Sequence, residues 1–289
     1  AEVSGERGRL VEVLEPSPFP RPHVWSAASL ERHPADRAGG AEFGHIDLTH
    51  QRELKRQVIT DALARMARLD TDVQVQAVPG DDEAGGTGWR TRVRLHVHEG
   101  GRPGPYSARS HRVIAVDDLP LATREVEVAA PLDQEFPGHD HVDVLAPTVG
   151  GARLVIGKQK PSVITEVVGD REFRLSDQGF WQVHRSAAAI LTAEVQAAID
   201  DQLFDPQAAN LDLYGGVGLL AAAVGDRFGP TTRITSVESD VAATDFAAEN
   251  LSDWIGARAE TGRVERWIAS VASSATAPER SRYAKATIV

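Results

Sequence analysis

The sequence predicts an α/β protein, with a Rossmann-like parallel sheet in its C-terminal part and a β-rich region before it. From about residue 178, apolar helical faces alternate with short apolar strands, the pattern of a parallel sheet covered by helices on both faces. Between about 73 and 176 the apolar runs are short and strand-like. The length of 289 residues favours two domains at ~150 residues each.

In order along the chain, Leu10–Leu14 alternates as a strand. Residues 16–44 carry Pro16, Pro18, Pro20, Pro22 and Pro34 with Gly39, Gly40 and Gly44, which reads as a linker or irregular wrap. Thr49 is placed to cap a helix over 50–68, with Leu54, Val58, Ala62, Met66 and Leu69 on one face. After an acidic, glycine-rich turn at 81–88, Trp89, Thr91, Val93, Leu95 and Val97 alternate with Arg90, Arg92, Arg94, His96 and His98, a two-faced strand that Gly100-Gly101 turns into a hairpin. Further strands are expected at 112–116, 142–145, 152–156, 162–168 and 172–175. The alternating part then reads as helix 185–203, strand 210–214, helix 217–228, strand 233–237, helix 241–253, a strand or turn at 259–267, and strand 285–289.

Composition narrows the function. The chain has 31 Lys and Arg against 42 Asp and Glu, a net charge of −11, with 42% hydrophobic and 25% charged residues, ordinary for a folded globular protein. No apolar run approaches the ~18 residues of a membrane span, and no basic segment followed by an apolar one opens the chain, so no signal peptide is expected and the cytoplasm is the expected compartment. The absence of cysteine excludes disulfides, thiolate metal sites, iron–sulfur clusters and a cysteine nucleophile within these residues. The acidic balance argues mildly against nucleic acid as a partner, although a basic face can sit inside an acidic chain.

The strongest motif is Leu211-Asp212-Leu213-Tyr214-Gly215-Gly216-Val217-Gly218, which ends a strand and opens a helix. Glycine lets backbone approach a ligand, and a helix N-terminus offers unbonded N–H groups. Glu238 ends the next strand 22 residues after Gly216, where an acid accepts hydrogen bonds from the ribose of an adenosine cofactor. Gly216-x-Gly218-x-x-Ala221 also satisfies the dinucleotide fingerprint, so NAD and S-adenosylmethionine compete. Asp212 favours S-adenosylmethionine: an acid just ahead of the glycines can hold the methionine ammonium or order the loop, whereas it would repel a pyrophosphate.

Phe180-Trp181-Gln182-Val183-His184, followed by a helix and then Asp212–Gly218, resembles the RNA uracil-5-methyltransferase (5-methyluridine methyltransferase) family. Its members carry a Phe-(Phe/Trp)-Gln-x-Asn segment before the helix that precedes the cofactor motif. Gly39–His45 with Gln51–Val58, and Trp89–Leu95 with Tyr106–His111 and Asp117–Leu121, are also similar to this family, so the resemblance spans about 10–289. It implies an oligonucleotide-binding barrel, of which 1–15 would be a remnant, a linker at 16–44, a central β-rich RNA-binding domain at 45–177 and a class I methyltransferase domain at 178–289. It implies S-adenosylmethionine contacts at Gln182, Tyr214 and Glu238, beside Asp212, Gly216 and Gly218 from the motif.

The chain departs from the family pattern in four places. Many relatives hold an iron–sulfur cluster through four cysteines near 39–45, so the resemblance here is to a cluster-free variant. Arg263 stands where an acid near the adenine is frequent, and His184 where asparagine is usual. Ala286–Val289 reads as the fourth sheet strand, after which relatives continue into Asp-Pro-Pro-Arg, the nucleophilic cysteine and a glutamate base. The implied chemistry needs a thiolate adding at uracil carbon 6, which makes carbon 5 nucleophilic toward the methyl group, and a base removing the carbon 5 proton. Catalytic residues are therefore expected beyond Val289, and the chain by itself is expected to be inactive.

Arg90, Arg92, Arg94, Arg109 and Arg112 make a candidate RNA-binding face, with Arg102 nearby and Arg52, Lys55 and Arg56 as a second cluster. Trp89 and Tyr106 are candidates for base stacking, weighed against ordinary core roles. His96-x-His98 and His139-x-His141 lack a supporting acid cluster, so no metal site is expected. The leading expectation is a monomeric enzyme forming 5-methyluridine in transfer or ribosomal RNA; the alternatives are an NAD-dependent oxidoreductase and a non-catalytic RNA-binding protein on a decayed methyltransferase fold.

Overall fold

A computed structural model of the chain describes residues 2–4, 7–9, 14–15, 17–98, 100–274 and 276–289. The strand expected at 10–14 lies outside these, apart from Leu14 in an exposed bend. The chain divides into two units, residues 1–87 with 104–120, and residues 88–103 with 121–289.

In the first unit, β1 (Glu2–Ser4) and β2 (Arg7–Arg9) form an antiparallel hairpin. The proline-rich stretch wraps irregularly, through two short 3-10 turns, beside the buried Trp25, whose indole N–H donates to Asp118 Oδ1 at 2.7 Å. Helix α1 (Leu48–Ala62) is capped by Asp47, not Thr49: the Asp47 carboxylate accepts from the Thr49 and His50 amides at 2.9 and 3.3 Å. A carboxylate is also favoured by the positive end of the helix dipole. The helix runs on as a π-helical turn over Leu63–Ala67 that ends at Arg68, in the left-handed conformation. No residue of α1 is fully buried; of its expected apolar face Leu54 is half-buried while Val58 and Met66 are exposed. The strand expected at 112–116 is reduced to one bridge, Tyr106 to Val113.

The second unit contains β3 (Arg92–Val97), β4 (Pro103–Gly104, at the boundary), α2 (Arg124–Ala129), β5 (His141–Leu145), β6 (Arg153–Ile156), β7 (Val163–Val168), β8 (Arg171–Ser176) and α3 (Ala187–Ala198). It continues with β9 (Asn210–Leu213), α4 (Leu219–Phe228), β10 (Ile234–Glu238), α5 (Val241–Asn250), β11 (Ala257–Thr261), α6 (Val264–Ser274) and α7 (Ala277–Tyr283). β4, β3, β5 and β6 form a four-stranded sheet in that order, with β5 antiparallel to both β3 and β6, and β7 and β8 form a hairpin. The expected hairpin at Gly100-Gly101 forms: His98 N–H donates to the Arg102 carbonyl at 3.0 Å, and the short β4 pairs with one edge of β3 while β5 takes the other.

β9, β10 and β11 are parallel in the order β11-β10-β9. Residues 287–289 lie beside β9 on its other side: Leu211 N–H donates to the Thr287 carbonyl and Val289 N–H to the Leu211 carbonyl, both at 2.9 Å. At 259–267 the chain forms the end of β11 and then α6, in which Val264, Trp267 and Ile268 share a face at spacings of three and four.

One apolar core joins Leu145, Phe173, Leu175 and Trp181 to Val217, Ala221, Val224, Ile234 and Trp254. The small residues of α4 permit this closeness, since a Cβ at Gly225 would collide with the Trp254 indole. Asn250, at the end of α5, fixes the site-bearing loop to this core. Its amide donates to the carbonyls of Arg174 (3.0 Å) and Val217 (2.9 Å) and accepts from Arg174 N–H (2.9 Å). Among the described residues no helix is long and apolar enough to cross a membrane.

Replacing Asn250 with Ala removes three part-buried hydrogen bonds and is expected to lower stability by about 3 kcal/mol. Urea unfolding of the two proteins measures this; equal midpoints with equal slopes would refute it.

Candidate functional site

The site is built at the carboxyl ends of β9 and β10. Asp212, on β9, is buried, and its cross-strand partner on β10 is Ser236. Asp212 Oδ2 accepts from Ser236 Oγ (3.1 Å) and from the Ala221 amide in the first turn of α4 (3.2 Å); among the described residues Oδ1 accepts no hydrogen bond. Burial pushes the Asp212 carboxyl up to about 6, against the two hydrogen bonds and with the help of the nearby Glu238 charge. Above this pair the chain turns sharply. A Cβ at Gly215 would strike Ser236 Oγ and lie 2.7 Å from Asp212 Oδ2, so only glycine fits there. Tyr214 and Gly216 have φ of 61° and 55°, and Gly218, at φ 89°, precedes α4.

Glu238 is the last residue of β10. Its Oε2 accepts from the Gly216 amide (3.2 Å), and its Oε1 from the amides of Ser239 (2.6 Å) and Asp240 (2.9 Å) and from Ser239 Oγ (3.0 Å). Partial burial raises its pKa, but these donors together outweigh burial and hold the carboxyl below its ordinary value. The expected motif residues Asp212, Tyr214, Gly216, Gly218 and Glu238 therefore come together at one crevice, where the ends of β9 and β10 meet the start of α4. Sequence reasoning missed two further members. Ser236 was legible only from the strand register, and Glu265, whose Oε1 accepts from the Tyr214 hydroxyl at 3.0 Å, only once α6 is recognised as a helix.

Gln182 lies on the segment leading to α3. This segment runs antiparallel to the approach to β3: Thr91 N–H donates to the Val183 carbonyl (2.7 Å) and Arg185 N–H to the Trp89 carbonyl (2.9 Å). Trp181 is buried against Phe173, and its neighbours face outward, with Gln182 half-buried and Phe180 77% exposed. Trp89 stacks on His184 with ring centroids 5.6 Å apart, a protein partner for a side chain considered for base stacking.

These features agree with comparisons to known proteins. An uncharacterized RNA methyltransferase of Bifidobacterium longum is 30% identical over 267 residues, covering 84% of this chain and 61% of the relative. One of Streptomyces coelicolor is 30% identical over 305 residues, covering 90% and 63%. The chain is a homologue of RNA methyltransferases. It spans about 60% of the length of these relatives. Its fold is that of S-adenosylmethionine-dependent methyltransferases: the Pyrococcus abyssi tRNA (uracil-54, C5)-methyltransferase, solved with S-adenosyl-L-homocysteine, superposes with a TM-score of 0.56 at 15% identity, over 81% of this chain and 67% of that one. No protein-family model matches the chain.

Within this homologue the candidate RNA-binding arginines are differently placed. Arg92 is mostly buried; its Nη1 donates to the Gly179 carbonyl (2.8 Å) and its Nη2 lies 3.6 Å from Glu166 Oε1. Arg94 forks onto Asp143 with both bonds at 2.7 Å, and Arg90 is half-buried with its guanidinium 4.9 Å from the Trp89 ring centroid. Burial lowers the pKa of both Arg90 and Arg92. Arg112 pairs with Asp36 at 2.8 Å, while Arg109 is exposed. Arg52 and Arg56 pair with Asp82 and Glu53, and Lys55 is exposed. His141 lies 3.9 Å from Asp143, and among the described residues no group of three metal-ligating side chains forms.

The buried Asp212 sets a pH dependence. Its folded pKa lies above the 3.8 of an ordinary carboxyl, so the folded state holds the proton longer; stability falls as pH rises from 3.8 to about 6 and stays low above. Asp212→Asn keeps an acceptor for Ala221 and Ser236 and removes the buried charge. It is expected to stabilise the ligand-free protein by roughly 3 kcal/mol at pH 8 and by little at pH 4. Urea titrations at the two pH values test this, and a gain of equal size at both would contradict it.

Proposed function

We propose that this chain is the S-adenosylmethionine-binding part of an RNA methyltransferase that forms 5-methyluridine. One observation carries the reading: a buried strand carboxylate with an uncommitted Oδ1, Asp212, lies beneath a glycine turn, and an ionised Glu238 ends the neighbouring strand. This donor set fits a ligand with an ammonium at one end and ribose hydroxyls at the other. It does not suit the pyrophosphate of NAD, which the Asp212 carboxylate beneath the glycine turn would repel. Asp212 Oδ1 takes the ammonium, Glu238 the ribose hydroxyls, and Gly216 and Gly218 allow close approach, with Gln182 and Tyr214 as further contacts. When bound, the cofactor supplies a sulfonium methyl group.

The uracil-5 reading rests on the resemblance and on the tRNA-modifying structural neighbour. The required thiol is not among these 289 residues, so the reading assigns it, with the base, to the part of the relatives' length outside the shared region. The boundary at 178 between RNA-binding and cofactor-binding parts belongs to the same proposal. So does the RNA partner: with Arg92 buried beside Glu166 and Arg94 paired with Asp143, Arg102, Arg109 and Lys55 are exposed cations suited to phosphate.

Calorimetry with S-adenosylmethionine and NAD tests the cofactor. Binding of the first alone is expected, its affinity falling about tenfold per pH unit below about 6 as Asp212 takes up a proton, and this slope should vanish in Asp212→Asn. Binding of NAD alone would favour the oxidoreductase. Binding of RNA with neither cofactor would favour the non-catalytic protein. Arg109→Glu is expected to weaken transfer-RNA binding and flatten its salt dependence by about one ion, whereas Arg94→Ala leaves that slope unchanged; the reverse pattern in salt titrations would return the RNA face to β3.

A further inference from the structure

We propose that Glu265 is a positioning residue of the cofactor crevice, which holds the Tyr214 ring as a wall across the end of β10. The inference deepens the S-adenosylmethionine reading and rests on it. Tyr214 follows β9 directly, with φ of 61°, a conformation unfavourable for a side chain of its size. Its side chain is 68% exposed, so packing alone does not hold it. What it does have is a hydrogen bond from its hydroxyl to Glu265 Oε1 at 3.0 Å.

Topology gives this bond its meaning. Tyr214 stands at the carboxyl end of β9, and Glu265 is in the first turn of α6, just beyond β11. β10 runs between those two strands and ends at Glu238. Gly215 N–H donates to the Val237 carbonyl (3.1 Å) and Gly262 N–H to the Glu238 carbonyl (2.7 Å), which fixes the backbone on both sides of that end. The Tyr214–Glu265 bond therefore crosses from one neighbour of β10 to the other at the level of Glu238. Two strand spacings, roughly 10 Å, is a span suited to a nucleoside.

The floor is rigid, because four donors hold the Glu238 carboxylate. The wall is tied by a charge-assisted bond, the stronger kind. The Glu265 carboxylate is stabilised by its own amide and by the Tyr214 hydroxyl, and the charge of Arg263 beside it adds to this. An acid at this helix position is also favoured by the helix dipole. Glu265 thus acts through Tyr214: it orders an aromatic face beside the ribose-binding carboxylate before a nucleoside arrives, which reduces the ordering cost of binding.

The test uses S-adenosylhomocysteine, which cannot donate a methyl group, with Tyr214→Phe, Glu265→Ala, Glu265→Gln and the double variant Tyr214→Phe/Glu265→Ala. Tyr214→Phe and Glu265→Ala should each raise Kd about tenfold, the size of one hydrogen bond to a charged group. The double variant should be no worse than either single one, and Glu265→Gln, which keeps an acceptor oxygen, should stay within about threefold of the parent. Thermal melting should be unchanged throughout, because both side chains are exposed. Additive losses, or a Tyr214→Phe protein that binds like the parent, would overturn the proposal. If the parent binds no S-adenosylhomocysteine, the cofactor reading fails, and spectrophotometric titration of the tyrosines still decides the tie. The Tyr214 phenol, raised by its bond to Glu265, should titrate at lower pH in Glu265→Ala, and an unmoved titration would show that no such tie exists.

Discussion

The crevice depends on one buried contact, the Asp212 carboxylate held between the Ser236 hydroxyl and the Ala221 amide in the first turn of α4. This contact ties two parallel strands to the start of a helix at a single oxygen. It also explains the glycines. The turn above it must pass so close to Ser236 that no side chain fits at Gly215, and Gly216 and Gly218 then adopt positive φ on the way to the helix. Asn250 completes the arrangement from the other side by holding the Val217 carbonyl. A polar core position in β10 and an amide at the end of α5 are therefore as much a part of the candidate site as the motif itself.

The motif and the parallel sheet were legible in the sequence because their causes are local. Strand, glycine turn, helix and acid follow one another within a few dozen residues, and each leaves a mark in residue type. The arginine-bearing strand shows where local reading stops. Alternation correctly gives β3 two faces, but it carries no information on what lies opposite each face. Asp143 is the cross-strand partner of Arg94, and Glu166 comes from β7 to meet Arg92. Those acids lie 49 and 74 residues away in sequence, so their pairing with the arginines is set by tertiary approach and leaves no local mark.

The same distinction separates the smaller differences. Thr49 is an acceptable cap by type, but Asp47 has the charge and the position to accept from two amides. The segment at 259–267 contains both a strand end and a helix start, and the glycine and arginine between them obscure the change of period. Glu265 was hidden for that reason. Its role depends on facing Tyr214 across β10, a relation between two loops that neither loop reveals alone.

The charge around the strand ends discriminates between ligands more sharply than the glycine pattern does. Asp212, Glu238 and Glu265 place three carboxyl groups around the ends of three parallel strands, in a chain of net charge −11. A polyphosphate would have to replace hydration by like charge, at a cost that grows as the site dries. A sulfonium ligand with an ammonium gains from the same field, and its cost is carried by the protein beforehand as the buried Asp212 charge. A crevice that destabilises its own fold until a cation arrives is selective for that cation, because the relief of the buried charge becomes part of the binding free energy.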